Sequence, residues 1–250
     1  MRLVLASFDW HLFWSAFSSG PYWRGALTAL EVTAASLASA LVIGFFVALG
    51  SLSNRRSART VAWIYNWLFR ATPTLLQLYF VWYALPTWWS GFAGSWFTPF
   101  MAAWITLSLN EAAYMSEIIR AGLLSVDPGQ ELAGRALGMS RRRILRRIVV
   151  PQAIRIAIPP IGNEFITLLK LTSLASIISL HELLTAATEL TSSKFIYNEP
   201  LLAALVYYLG IVSILMVLQS RLERRFTWTS RGRRPRVAAP AVPVISHDAR

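Results

Sequence analysis

Residues 127–151 read DPGQELAGRALGMSRRRILRRIVVP, and the spacing within this stretch decides how the whole chain is organised. Asp127 or Pro128 starts a helix, because proline suits the first turn. Leu132, Ala133, Ala136 and Leu137 then form a small apolar stripe at helical spacing. Gly138 ends that helix, since glycine accepts the left-handed backbone that helix ends require. Ser140 stands where it caps a second helix. In that second helix Ile144, Leu145 and Ile148 face one way, and the arginines face water or lipid headgroups. The pattern is a short exposed helix, a sharp turn, and an interfacial helix leading to Pro151. Two readings of it stand side by side. It is a docking element for a soluble partner, or an amphipathic linker lying on a membrane.

The sequence on either side is apolar. Of 250 residues 55% are hydrophobic and only 14% charged, against roughly 25% charged in a soluble chain. The charge that remains sits in blocks between long apolar runs. Five stretches reach the roughly 20 residues a membrane helix needs: 25–52, 61–85, 97–124, 150–180 and 201–222. The chain is therefore expected to be an all-α integral membrane protein with about five transmembrane helices. The fourth stretch contains Pro159, Pro160, Gly162, Asn163, Glu164 and Lys170, so a kinked or broken helix is expected there. Residues 1–24 read as an external or interfacial segment, with Trp10, Phe13 and Trp14 suited to the membrane surface. Asp9 and His11 interrupt any signal-peptide core.

The connections give the orientation. Arg55, Arg56 and Arg59 follow the first stretch, whereas residues 86–99 carry no charge and hold Trp88, Trp89 and Trp96. The third connection holds Arg135, Arg141, Arg142, Arg143, Arg146 and Arg147; the fourth holds Glu182, Glu189 and Glu199 against Lys194. Basic and non-basic connections alternate, so the positive-inside rule puts the N-terminus outside and the C-terminus in the cytoplasm. Residues 227–250, rich in Arg, Pro and Ala, read as a disordered basic tail near anionic lipid.

The net charge of +12 suggests a nucleic-acid partner at first sight, but the blocks follow membrane topology and none is expected. The chain has no cysteine, and His11, His181 and His247 are far apart. No metal site or cofactor is indicated. Lys170 and Lys194 are the only lysines and neither follows a glycine, so there is no phosphate-binding loop. The chain is not expected to be an enzyme.

The quoted loop resembles the one shared by permeases of bacterial ATP-binding-cassette importers. Their pattern is Glu-Ala-Ala, three residues, Gly, nine residues, Ile, one residue, Leu-Pro. It is matched here by Leu132-Ala133-Gly134, Gly138, Ile148 and Val150-Pro151. Asn110-Glu111-Ala112-Ala113-Tyr114, Glu117 to Gly122, Phe69-Arg70-Ala71-Thr72-Pro73, Gln77-Leu78, Gly129-Gln130, Pro159-Pro160 and Asn163-Glu164 resemble the polar amino-acid branch (His/Glu/Gln/Arg/opine). The resemblance covers roughly residues 22–225 and implies a MetI-like fold over 25–226, with a coupling helix about 128–143. Two departures stand out. The Glu of the loop pattern is Leu132, and Glu131, one position early, points about 100° away on a helix. The branch's Lys-Asp-Thr-Ser-Leu is Lys170-Leu171-Thr172-Ser173-Leu174, without the carboxylate.

The resemblance implies partners. A cytoplasmic ATPase dimer grips Glu131, Leu132, Ala133, Gly134, Gly138 and Arg141; a substrate-binding protein docks outside; a second permease subunit, identical or paralogous, completes the path. Amino acids then cross by alternating access. Arg70, Glu164 and Lys170 lie within spans, where each costs about 2.5–3.5 kcal/mol at a helix centre. They line a path, pair with another charge, or, for Arg70 and Lys170, snorkel to an interface. Glu164 and position 171 share a helix face. The resemblance implies that an acid at both holds a cationic side chain, so Leu171 predicts weaker selectivity for basic amino acids. Asn110, Thr72 and Gln77 offer neutral hydrogen bonds to a substrate backbone, or equally to neighbouring helices. The alternative function is an ion-coupled secondary transporter of small polar solutes, although such folds usually show internal repeats and this chain shows none.

Overall fold

The computed structural model describes residues 8–226. The expected basic tail, 227–250, lies outside the described residues. Those residues contain helices and turns and no β-strand. A short helix α1 (Trp10–Phe17) opens the chain, capped by the Asp9 carboxylate, which accepts from the His11 and Leu12 N–H groups. Trp10 and Trp14 are exposed while Leu12, Phe13 and Ala16 are buried, Phe13 and Ala16 in a cluster with Tyr22, Leu183 and Ala203.

Helix α2 (Gly20–Ser51) begins five residues before the expected start of the first span. Its buried face carries Ser36, Ala40, Gly44 and Ala48, one small residue every four. This stripe meets α6 (Pro99–Leu124), whose own buried face includes Ala102, Ala103, Ala112 and Ala113. Lipid tails are as apolar as leucine, so helices in a bilayer gain from close backbone approach rather than from burying oil. Small residues permit that approach.

The second crossing is not one helix. Helix α3 (Arg56–Ala71) stops, Thr72 turns extended at φ −107° and ψ 142°, and the chain resumes as α4 (Thr74–Tyr79). A π-helical turn (Phe80–Ala84) and α5 (Leu85–Trp88) follow. Pro73 is the cause: it has no N–H to donate and disfavours helical backbone in the residue before it.

Of the kink or break expected in the fourth crossing, a break does not occur. Helix α9 (Val150–Leu171) runs through Pro159 and Pro160. Helix α11 (Asn198–Phe226) packs beside it, with the Gln219 amide donating to the Pro159 carbonyl at 2.7 Å. The irregular backbone sits at the two ends instead, as a π-helical turn (Leu145–Val149) and a 3₁₀ stretch (Thr172–Ile178).

Among the described residues three helical stretches are long and apolar enough to cross a membrane: Gly20–Ser51, Arg141–Ile178 and Asn198–Phe226. Two of the five expected spans fall outside this set for separate reasons. The second is broken at Thr72–Pro73. The third, α6, has 26 residues but carries Thr106, Ser108, Asn110, Glu111, Ser116, Glu117 and Arg120.

The acidic fourth connection is also more structured than a loop. It forms helix α10 (Leu183–Lys194), capped by the fully buried Glu182. That carboxylate accepts from the Leu184 and Thr185 N–H groups and from the Tyr208 hydroxyl. One of the acids that marks the topology is therefore a structural cap.

Candidate functional site

The loop between α6 and α9 folds into a hairpin of two short helices. Helix α7 (Pro128–Ala136) starts at Asp127, whose carboxylate accepts from the Gly129 N–H at 2.7 Å. It ends at Gly138, which takes φ +72°. The Gly138 N–H bonds the Arg135 carbonyl and the Met139 N–H bonds the Gly134 carbonyl, the paired closure of a Schellman end. Both boundaries are those expected. Ser140 precedes α8 (Arg141–Ile144), yet its hydroxyl makes no capping bond; its carbonyl instead accepts from Arg143 and Ile144.

Gly134 joins the two arms. It is buried, and a Cβ built on it would lie 2.9 Å from Ile144 Cγ1. Ile148 closes the same contact from the π-helical turn. The other side of α7 is open: Leu132 is 65% and Leu137 80% exposed. Ala133, Ala136, Gly138 and Arg141 are exposed as well. Glu131 forms an ion pair with Arg135 on its own helix. The hairpin thus presents two bare leucines and is braced from behind by Ile144, which α8 and α9 join to the membrane helix.

Thr72, Gln77 and Asn110 come together, as a knot around the break in the second crossing. The Thr72 hydroxyl donates to the Leu68 carbonyl at 2.7 Å. The Gln77 amide donates to the Phe69 carbonyl and to both oxygens of Thr72. The Asn110 amide donates to the Phe69 carbonyl and to Gln77 Oε1, each at 3.0 Å. These groups serve the carbonyls that Pro73 leaves without helical partners. All of these bonds run among α3, its C-cap Thr72, α4 and α6.

Glu164 and Leu171 share α9, but Leu171 packs against an apolar cluster that includes Val32, Leu78, Leu107 and Leu168. Another acid, Glu111, lies on α6, which packs against α9. Glu111 is 2% exposed and its Oε1 has no hydrogen-bond partner among the described residues. Sequence reading used Glu111 only as part of a family pattern. A carboxylate inside the third span was itself the signal, because such a group is costly there.

A cleft of about 630 Å³ lies between α3 and α6. Arg59, Arg70, Glu117 and Arg120 line it, with Trp63, Trp67 and Tyr114 as aromatic wall. The Arg70 guanidinium stands 5.6 Å from the Tyr114 ring centroid.

The family described as "Binding-protein-dependent transport system inner membrane component" matches residues 40–228. The chain belongs to this family. Its members are membrane components of transport systems, not the subunits that hydrolyse ATP. The arginine transport system permease protein ArgU of Corynebacterium glutamicum is 41% identical over 211 residues, covering 80% of this chain and 66% of that protein. The L-cystine transport system permease protein TcyB of Bacillus subtilis is 38% identical, covering 85% and 87%. The glutamine transport system permease protein GlnP of Escherichia coli is 35% identical, covering 87% and 97%. Among solved structures, an amino acid ABC transporter with histidines superposes at TM-score 0.75 with 33% identity, over 82% of this chain and 94% of the other. The MetNI methionine ABC transporter superposes at 0.69 with 20% identity, over 88% and 100%, which shows the shared MetI-like fold. This permease is thus an all-helical inner-membrane component of the ABC-importer class.

Proposed function

We propose that this permease carries a polar amino acid across the inner membrane, driven by a separate cytoplasmic ATPase that grips the α7–α8 hairpin. The observation that carries this reading is the bare Leu132–Leu137 face on a hairpin seated through Gly134 onto the helix that enters the membrane. Burying each leucine in a partner contributes about 1.5–3 kcal/mol. A push on α7 passes to Ile144 and Ile148 and so along α9. Leu132, Ala133, Gly138 and Arg141 form the contact, Gly134 transmits, and Glu131 stiffens α7 through Arg135. The relatives named for arginine, cystine and glutamine transport support an amino-acid cargo. An external substrate-binding protein and a second permease subunit complete the system. Glu111 and Glu164 mark the acidic part of the path; Thr72, Gln77 and Asn110 hold its wall.

In this reading the hairpin is cytoplasmic, the N-terminus external and the C-terminus internal. The chain has no cysteine, so one introduced thiol reports one position. Ala133→Cys in intact cells should resist an impermeant maleimide, while Trp88→Cys should react. Labelling of residue 133 from outside would overturn the reading. Gly138→Arg should insert normally and lose the ATPase in co-purification; normal recovery of the ATPase would refute the grip.

A further inference from the structure

Arg70 lies on α3 and lines the cleft between α3 and α6. It is placed by two helices at once. It lies fourteen residues along α3 from Arg56, which is about 21 Å at 1.5 Å per residue. Its contact, Tyr114, lies ten residues back from the end of α6 at Leu124, about 15 Å from that end. Ser51, Arg59 and Arg120 line the same cleft near the helix ends. The importer reading sets both helices in a bilayer whose apolar core is about 30 Å thick, with Arg70 inside it.

The carboxylate that lines the cleft is already spent. Glu117 Oε2 accepts from Arg120 at 2.7 and 3.1 Å, and Oε1 accepts from the Asn66 amide at 3.1 Å. Arg59 is also occupied, donating to the Ser53 and Asn54 carbonyls at the end of α2. Arg70 has no hydrogen bond or ion pair to any described residue; its cation–π contact is with Tyr114. A cation–π contact is worth about 0.5–2 kcal/mol, less than the insertion cost of about 2.5–3.5 kcal/mol for a mid-membrane arginine. The guanidinium, a planar fork of donors matched to a carboxylate, therefore faces an open cleft without its natural partner.

We propose that the α3–α6 cleft is a carboxylate-binding site, with Arg70 as the counter-charge for the α-carboxylate of the transported amino acid. The proposal rests on the importer reading and adds the group that the acidic residues Glu111 and Glu164 cannot supply. A zwitterion needs a cationic host for one end as well as an acidic host for the other. Tyr114 holds the guanidinium in place, and the stacked rings of Trp63 and Trp67 line the same cleft.

The test uses the permease complex purified with its ATPase, titrated with L-arginine, L-glutamine and L-cystine and with the α-amide of whichever acid binds. Arg70→Gln should weaken the acid by about 10- to 100-fold, the range for a charged hydrogen bond, and change the α-amide by less than about twofold. Arg70→Lys should recover part of the loss. ATPase co-purification should stay normal in both variants; its absence from the unmutated complex would refute the importer reading separately. Equal loss for acid and amide, or no loss, overturns the proposal, as does failure of all three acids to bind the unmutated complex. Separation of the permease pair on Arg70→Gln would assign the charge to a carboxylate of the second subunit. Loss of bound phosphatidylglycerol with unchanged amino-acid affinity would assign it to lipid. Either result overturns the substrate site.

Discussion

Two places in this permease interrupt a helix, and they do so by opposite means. At Gly138 the chain leaves α7 in a solvent-facing hairpin, and two backbone N–H groups from the next residues close the end. No distant residue takes part. At Thr72–Pro73 the chain leaves α3 inside the membrane, and the freed carbonyls of Leu68, Phe69 and Thr72 are met by side chains from positions 72, 77 and 110. Water forgives an unpaired carbonyl and lipid does not. A break in the bilayer must bring its own solvent, in the form of amide and hydroxyl side chains, whereas a break at the surface needs only a glycine.

This contrast can be broken by four substitutions, taken from the largest expected effect to the smallest. Asn110→Leu removes a donor to Phe69 and to Gln77 with no water to replace it. It should cost about 2–4 kcal/mol, seen as a lower yield of monodisperse permease in detergent and a lower unfolding temperature. An unchanged unfolding temperature would mean that the knot is reached by water. Gly134→Leu forces α7 away from Ile144, at about 1–3 kcal/mol. Because the hairpin faces water, membrane yield should stay normal while ATP-driven uptake in proteoliposomes falls at least tenfold; a matching fall in yield would erase the distinction between the two regions.

Leu171→Asp tests whether the face shared with Glu164 lines the path. It should raise uptake of arginine relative to glutamine by a few-fold, with some loss of stability because Leu171 packs against the Leu168 cluster. An unchanged ratio would leave Glu111 and Glu164 as the acids that matter. Gly138→Ala meets open space and so pays only for its left-handed backbone, about 1–2 kcal/mol. Coupled ATPase activity should drop two- to fivefold, and no change would show that the turn is held by contacts with the ATPase.

The hairpin was legible because every signal in it is local. Asp127, Gly138 and the spacing of Leu132 to Leu137 act over one or two turns. The membrane knot was half legible. Pro73 and the prolines at 159 and 160 all announce trouble for a helix, yet the first breaks its span and the others do not. Nothing local to either segment marks the difference; α9 packs against α2, α6 and α11 along its length. Glu111 and Arg70 were visible as charges in apolar runs, but not as an unpartnered acid and an unanswered cation.

The sequence by itself determined the helical class, the alternation of basic and uncharged connections, and the hairpin that stands out from the membrane. Hydropathy and helix-end chemistry depend on neighbours in the chain, so they can be read along it. Only the tertiary structure decided which polar groups are spent on one another. Thr72, Gln77 and Asn110 are bound together, Glu117 is taken by Arg120 and Asn66, and Arg70 is left facing a cleft. Those outcomes depend on which helices meet, and in a bilayer that is governed by small-residue stripes such as Ser36–Ala40–Gly44–Ala48, whose weak, distributed packing gives no strong signal at any single position.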